Sequence, residues 1–177
     1  AMIVMLSHGL VSGALFLVVG VIYDRLHTRE IAAYGGLSNN MPGYALLFML
    51  FTMASVGLPG TSGFVGEFLA LVGTFQTHPI AATIAATGVI FAAYYMLPMV
   101  QRIWFNRLDN PENEGMADLS GRELWVLMPL VIMMLWLGAY PKPFLERSEV
   151  TVLQLIETVE AKRGAALPGP VGLVNPR

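Results

Sequence analysis

The chain has 177 residues, of which 55% are hydrophobic and only 12% charged, with a net charge of −2; an ordinary soluble domain carries about 25% charged residues. That balance places the chain in a bilayer, and the lack of any basic cluster argues against nucleic acid as a partner. Cysteine is absent, so these residues supply no thiolate to an iron–sulfur cluster and form no disulfide. The histidines stand at 8, 27 and 78 without metal-ligand spacing. Neither G-x-G-x-x-G nor a P-loop occurs, so no nucleotide site is indicated.

No Asp, Glu, Lys or Arg occurs in residues 1–23, 31–66, 68–101 or 124–141. A spanning helix needs about 20 apolar residues, so these gaps predict an all-α membrane protein with four transmembrane helices. The first span, about 2–23, lacks the basic start and small-residue cleavage site of a secretory signal. Ala1 opens in mid-hydrophobic text, so the chain is expected to be the C-terminal piece of a longer polytopic protein. Turn-forming residues fill the connector after Asp24.

The second span, about 44–76, would be roughly 50 Å long as one helix, against a hydrocarbon core of about 30 Å. It must be broken or tilted. The third, about 79–105, starts at Pro79 and is kinked by Pro98, with Arg102 and Trp104 at the membrane interface. The fourth, about 124–140, stops at "YPKPF".

Residues 146–163 then read as a short amphipathic surface helix. Ser148 caps it, Gly164 follows it, and Val152, Ile156 and Val159 share one face that rests on the membrane or a partner. A disordered tail, 164–177, is expected beyond. The first two connectors that share a side carry Arg25, Arg29, Arg102, Arg107 and Arg122, which assigns that side to the cytoplasm by the positive-inside rule.

The stretch "VGLPGTSGFVGEF", residues 56–68, carries the functional signal. Pro59 lacks an N–H and clashes with the carbonyl of Ser55, while Gly57 and Gly60 let the backbone leave helical geometry. Freed backbone groups in hydrocarbon cost several kcal/mol each, so such a break is tolerated only beside protein or water. Thr61 and Ser62 are expected to cap the restarted half-helix.

Glu67 lies roughly 15 Å from the span's end near His78, close to the bilayer centre. A charge there costs at least about 3 kcal/mol. An intramembrane acid beside irregular backbone marks an ion or proton pathway; the plainer alternative is a structural acid bonded to a neighbouring helix. His8 falls at a similar depth on the first span, with Ser12 one turn on, so that His8 and Glu67 are candidates for a water-joined pair if the two spans are neighbours. Gly9 and Gly13 form a G-x-x-x-G suited to close helix approach. The alternative for His8 is a hydrogen bond to a helix carbonyl with no transport role.

"MLSHGLVSGALFLVVGVIYDRLHTREIAAYGGL" and "MASVGLPGTSGFVGEFLALVGTF" closely resemble the C-terminal part of the subunit M (chain 4) family of proton-pumping NADH:quinone oxidoreductase, respiratory complex I. The resemblance extends from Met2 to about Ile156. It implies a C-terminal fragment of an antiporter-like bundle of inverted repeats, each with a discontinuous helix, in which residues 1–145 belong to the proton-translocating domain. It implies proton-relay roles for Glu67, the acid of the second broken helix, and His8, the histidine of "SHGL", with Gly57, Pro59 and Gly60 forming the break and Ser12 and Thr61 supporting it.

Related antiporter-like subunits usually carry lysine at the broken-helix position, so glutamate favours this family. The resemblance further implies a multi-pass subunit of a bacterial inner membrane, packed against other membrane-arm subunits and the lipid bilayer. No cofactor is expected in this chain, with NAD, FMN, iron–sulfur clusters and quinone in other subunits. A secondary cation/proton antiporter subunit of the same fold, and a structural scaffold, are the competing readings.

Overall fold

The computed structural model describes residues 2–108 and 110–166. Among these the regular structure is helical, and they fall into two compact units that divide between Pro141 and Lys142. In the first unit α1 (Met2–Leu26), α2 (Pro42–Val56), α3 (Ser62–Thr77), α4 (Pro79–Val100) and α5 (Gly121–Ala139) follow one another. Three helical stretches, Met2–Leu26, Pro79–Phe105 and Gly121–Ala139, are long and apolar enough to cross a membrane alone. α2 and α3, of 15 and 16 residues, reach only about 24 Å each. The long second span is therefore two short helices.

Each boundary has a local cause. Pro42 sits in the first turn of α2 and Pro79 in that of α4, where a missing N–H costs nothing. Only His78 separates α3 from α4. Pro98 lies inside α4 without ending it, but the ladder passes into a π-helical turn, Gln101–Phe105; a register change is one way a helix absorbs a lost i−4 bond. α5 opens with a full capping box between Ser120 and Glu123. It also runs through Pro129.

The core lies where α1, α2, α5 and the π turn meet. Trp104, expected at the interface, is instead 1% exposed, with its ring 5.0 Å from Tyr44 and 5.3 Å from Phe48. The π turn swings this side chain inward, and burying so large a ring outweighs its taste for the interface. The Tyr44 hydroxyl donates to the Val18 carbonyl at 2.6 Å, locking α2 onto α1.

A polar knot fixes the connector end. Arg25, near the C-terminus of α1, donates to both oxygens of Glu123 at 3.1 and 3.0 Å and to the carbonyls of Ala117 and Asp118. Asp118 in turn accepts from the N–H groups of Gly43 and Tyr44 at 2.8 and 2.9 Å. Those are orphan donors of the first turn of α2, so Asp118 caps that helix from a distant part of the chain. The knot thereby holds the starts of α2 and α5 against the end of α1.

The second unit holds α6 (Lys142–Ala166). It starts earlier than the expected surface helix, because Pro143 falls in its first turn, where proline is tolerated. Ser148 does not cap it; that hydroxyl lies inside the helix and donates back to the carbonyls of Phe144 and Leu145. Val152, Ile156 and Val159 are exposed. The expected tail from 167 onward lies outside the described residues.

Candidate functional site

The chain breaks between α2 and α3 in a definable way. Gly57 takes the left-handed conformation at φ +90°, and its N–H reaches the Ala54 carbonyl at 3.3 Å while that of Leu58 reaches Met53 at 2.9 Å. This pair of bonds is a Schellman ending, which satisfies carbonyls the helix would otherwise orphan. Pro59 then follows in the non-helical turn, and Gly60 is again left-handed at φ +93°. The break thus starts at Gly57, two residues ahead of the proline expected to cause it.

Thr61 occupies the N-cap position of α3 with an extended backbone. Its hydroxyl does not cap the helix as expected; it is turned backward, donating to the Leu58 carbonyl at 2.7 Å and closing the turn. Ser62 does not cap either; its buried hydroxyl accepts a 2.9 Å hydrogen bond from Ser7 of α1. The start of α3 is therefore pinned to α1 through side chains rather than capped by its own.

α3 also lies tight against α1. A Cβ at Gly66 would sit 3.1 Å from the Val4 Cα, so glycine permits this approach. Gly9 and Gly13, expected to serve that purpose, face open space; the small residues that close the contact are on α3.

Glu67, in the second turn of α3, turns back over the break. A Cβ at Gly57 would lie 2.7 Å from Glu67 Oε2, so the carboxylate rests directly on the bare Gly57 backbone. A cavity of about 170 Å³ opens beside it, lined by His8, Ser12 and Ser7 from α1, Ser55 from α2, and Gly63 and Glu67 from α3. That volume exceeds what several waters occupy. His8 and Ser12, one turn apart, share the face of α1 that looks into it. Glu67 accepts no hydrogen bond and joins no ion pair among the described residues; the two ion pairs there are Arg25–Glu123 and Lys142–Glu146. An acid in this position has water as its available partner.

Glu67 also lines a second cavity, of about 300 Å³, between α3 and α4, bounded by Ala85, Gly88 and Ala92. The acid stands between two spaces, one with His8 and one walled by small apolar residues. The second space had a sequence signal, small residues at i, i+3 and i+7 on α4, that passed unread because the helix is apolar on every side. Ser7 and Ser55 were likewise missed, having no pattern to set them apart from ordinary helix serines, and Ser62 was expected as a cap rather than as the partner of Ser7. No group of three His, Cys, Asp or Glu side chains capable of holding a metal occurs among the described residues.

Residues 1–92 match the family model described as NADH:quinone oxidoreductase/Mrp antiporter, transmembrane. The chain is 52% identical over 168 residues to NADH-quinone oxidoreductase subunit M of Rhodobacter capsulatus, a match covering 95% of this chain and 33% of that protein. It is 45% identical over 157 residues to NADH-ubiquinone oxidoreductase chain 4 of Arabidopsis thaliana, covering 89% of this chain and 32% of that one. Among solved structures it is similar to a chain of respiratory complex I from Thermus thermophilus with bound NADH, with a TM-score of 0.73 and 37% identity over 78% of this chain and 29% of that one. The chain thus spans about a third of the length of the relatives it matches.

Proposed function

The chain belongs to the NADH:quinone oxidoreductase/Mrp antiporter membrane family, and from that premise we propose that it is the C-terminal part of a proton-translocating subunit of NADH:quinone oxidoreductase. In this reading α2, the break and α3 make one discontinuous span, which with the three long helices gives four. Residues 1–145 contribute to the translocating domain and residues 146–163 to a surface helix. The neighbours are other membrane-arm subunits of the complex and lipid, in a bacterial inner membrane. NAD, FMN, iron–sulfur clusters and quinone are handled by those other subunits.

One observation carries the proposal: the Glu67 carboxylate rests on an unwound glycine, without an ionic partner, beside a cavity it shares with His8 and Ser12. A carboxyl and an imidazole that line one space wide enough for several waters can pass a proton along those waters. The bare backbone of Gly57 leaves room for the carboxylate over the break, and Thr61 closes the turn onto the Leu58 carbonyl. Glu67 holds the proton, His8 exchanges it through Ser12 and water, and electron transfer elsewhere in the complex biases the exchange.

The test is Glu67→Gln in the full-length protein within its complex, reconstituted into sealed vesicles. Proton pumping should be lost while the complex still assembles; undiminished pumping would refute the relay role, and failed assembly would favour a scaffold. His8→Ala should lower pumping only partially, because water can replace one imidazole. The family model also covers antiporters, and sodium-dependent transport by the subunit separated from its redox partners would favour that second reading.

A further inference from the structure

A groove of about 330 Å³ opens on the connector side of α1, α2 and α4, and Glu67 does not line it. Its walls are apolar: Leu15 and Val19 from α1, Phe48 from α2, Met96 and Met99 from α4. At one end these give way to Thr28 and Arg29, just past the end of α1. No carboxylate lines the groove.

The polar end is built rather than loose. The Tyr34 hydroxyl donates to the Thr28 carbonyl at 2.6 Å, and Thr28 Oγ1 accepts from the Glu30 N–H at 3.3 Å, which leaves its own O–H free to donate outward. The Arg29 guanidinium lies over the Tyr23 ring, 5.1 Å from its centroid. Arg25, one turn back, is consumed by Glu123. Arg29 pairs with no carboxylate among the described residues, although the exposed Asp24 and Glu30 are its sequence neighbours. The result is an apolar slot ending in an unpaired guanidinium and a free hydroxyl at the level where a membrane span meets water.

We propose that this groove holds one acyl chain of an anionic phospholipid, with the headgroup phosphate bound by Arg29 and Thr28. A guanidinium fork matches two phosphate oxygens, and clustered donors beside an apolar slot are how membrane proteins select anionic headgroups. An apolar protein segment could fill the walls, but it would bring no anion to the Arg29 guanidinium and the Thr28 hydroxyl that end the slot. The lipid satisfies both ends at once.

The test uses the full-length protein in its assembled complex, reconstituted into phosphatidylcholine nanodiscs carrying a trace of phosphatidylglycerol with a photoactivatable acyl tail. The cross-linked peptides should carry Val19, Phe48, Met96 or Met99. A tenfold excess of unlabelled phosphatidylglycerol should remove the label, and the same excess of phosphatidylcholine should not. Arg29→Gln should lower labelling about fivefold, Arg29→Lys should restore about half, and Val19→Trp, which fills the slot, should abolish it with Arg29 intact. Labelling absent from these peptides would mean that protein occupies the groove, and labelling indifferent to headgroup would mean ordinary bulk lipid; either overturns the proposal. If a variant does not assemble, the headgroup competition on the unaltered complex decides.

Discussion

Gly57 decides where the Glu67 carboxylate sits. Any side chain there meets Oε2 at 2.7 Å and must also adopt φ +90°, which costs a non-glycine residue about 1–2 kcal/mol. Gly57→Ala should therefore both destabilise the protein by about that amount, read as a lowered Tm, and displace the acid, read as reduced pumping. A stability loss with full pumping would show that the carboxylate does not need its place on the break. Ser7 and Ser62 make a different kind of test. Removing one hydroxyl strands its buried partner at a cost of about 1–3 kcal/mol, whereas removing both leaves nothing unsatisfied. Ser7→Ala/Ser62→Ala should thus cost little more than either single change, and additive losses would show that the two do not act as a pair.

At the scale of helices, the broken span is held at both of its ends by other parts of the chain. Asp118 caps α2 and Ser7 pins α3, so the break between them is a fixed turn rather than a hinge left to itself. Asp118→Ala should cost about 1–2 kcal/mol through the lost cap, with Asp118→Asn intermediate, measured as thermal stability of the purified complex. The break was legible in sequence because glycine and proline act locally. The Asp118 cap and the Arg25–Glu123 clamp were not, since each joins groups more than 70 residues apart with no local pattern to announce them. Trp104 misled because an aromatic near a basic residue at the end of a span reads as an interface anchor, and only the π turn, itself unsignalled, turns it inward. Thr61 misled for a subtler reason: its hydroxyl had both an acceptor behind it, the Leu58 carbonyl, and N–H donors ahead of it, and it is set toward the carbonyl.

For the whole molecule, the described helices leave large apolar surfaces uncovered. In α4 only Ala82 and Val100 are buried, while Ile80, Ile84, Ile90 and Phe91 are each more than 60% exposed. Such surface suits lipid or further protein, and the relatives matched are about three times this chain's length. Within the first unit, the half-buried Glu67 sits over an unwound backbone and between two cavities, and its proposed role depends on water reaching it. Because the 177 residues contain no cysteine, a thiol introduced at Ser12, in the cavity wall, can be followed by the peptide that carries it. In the intact complex, Ser12→Cys should react with a small charged thiol reagent, while Ile90→Cys, halfway along the exposed apolar surface of α4, should not. An unreactive Ser12→Cys in a complex that still assembles and oxidises NADH would mean the cavity is dry, and a proton path through Glu67 could not stand.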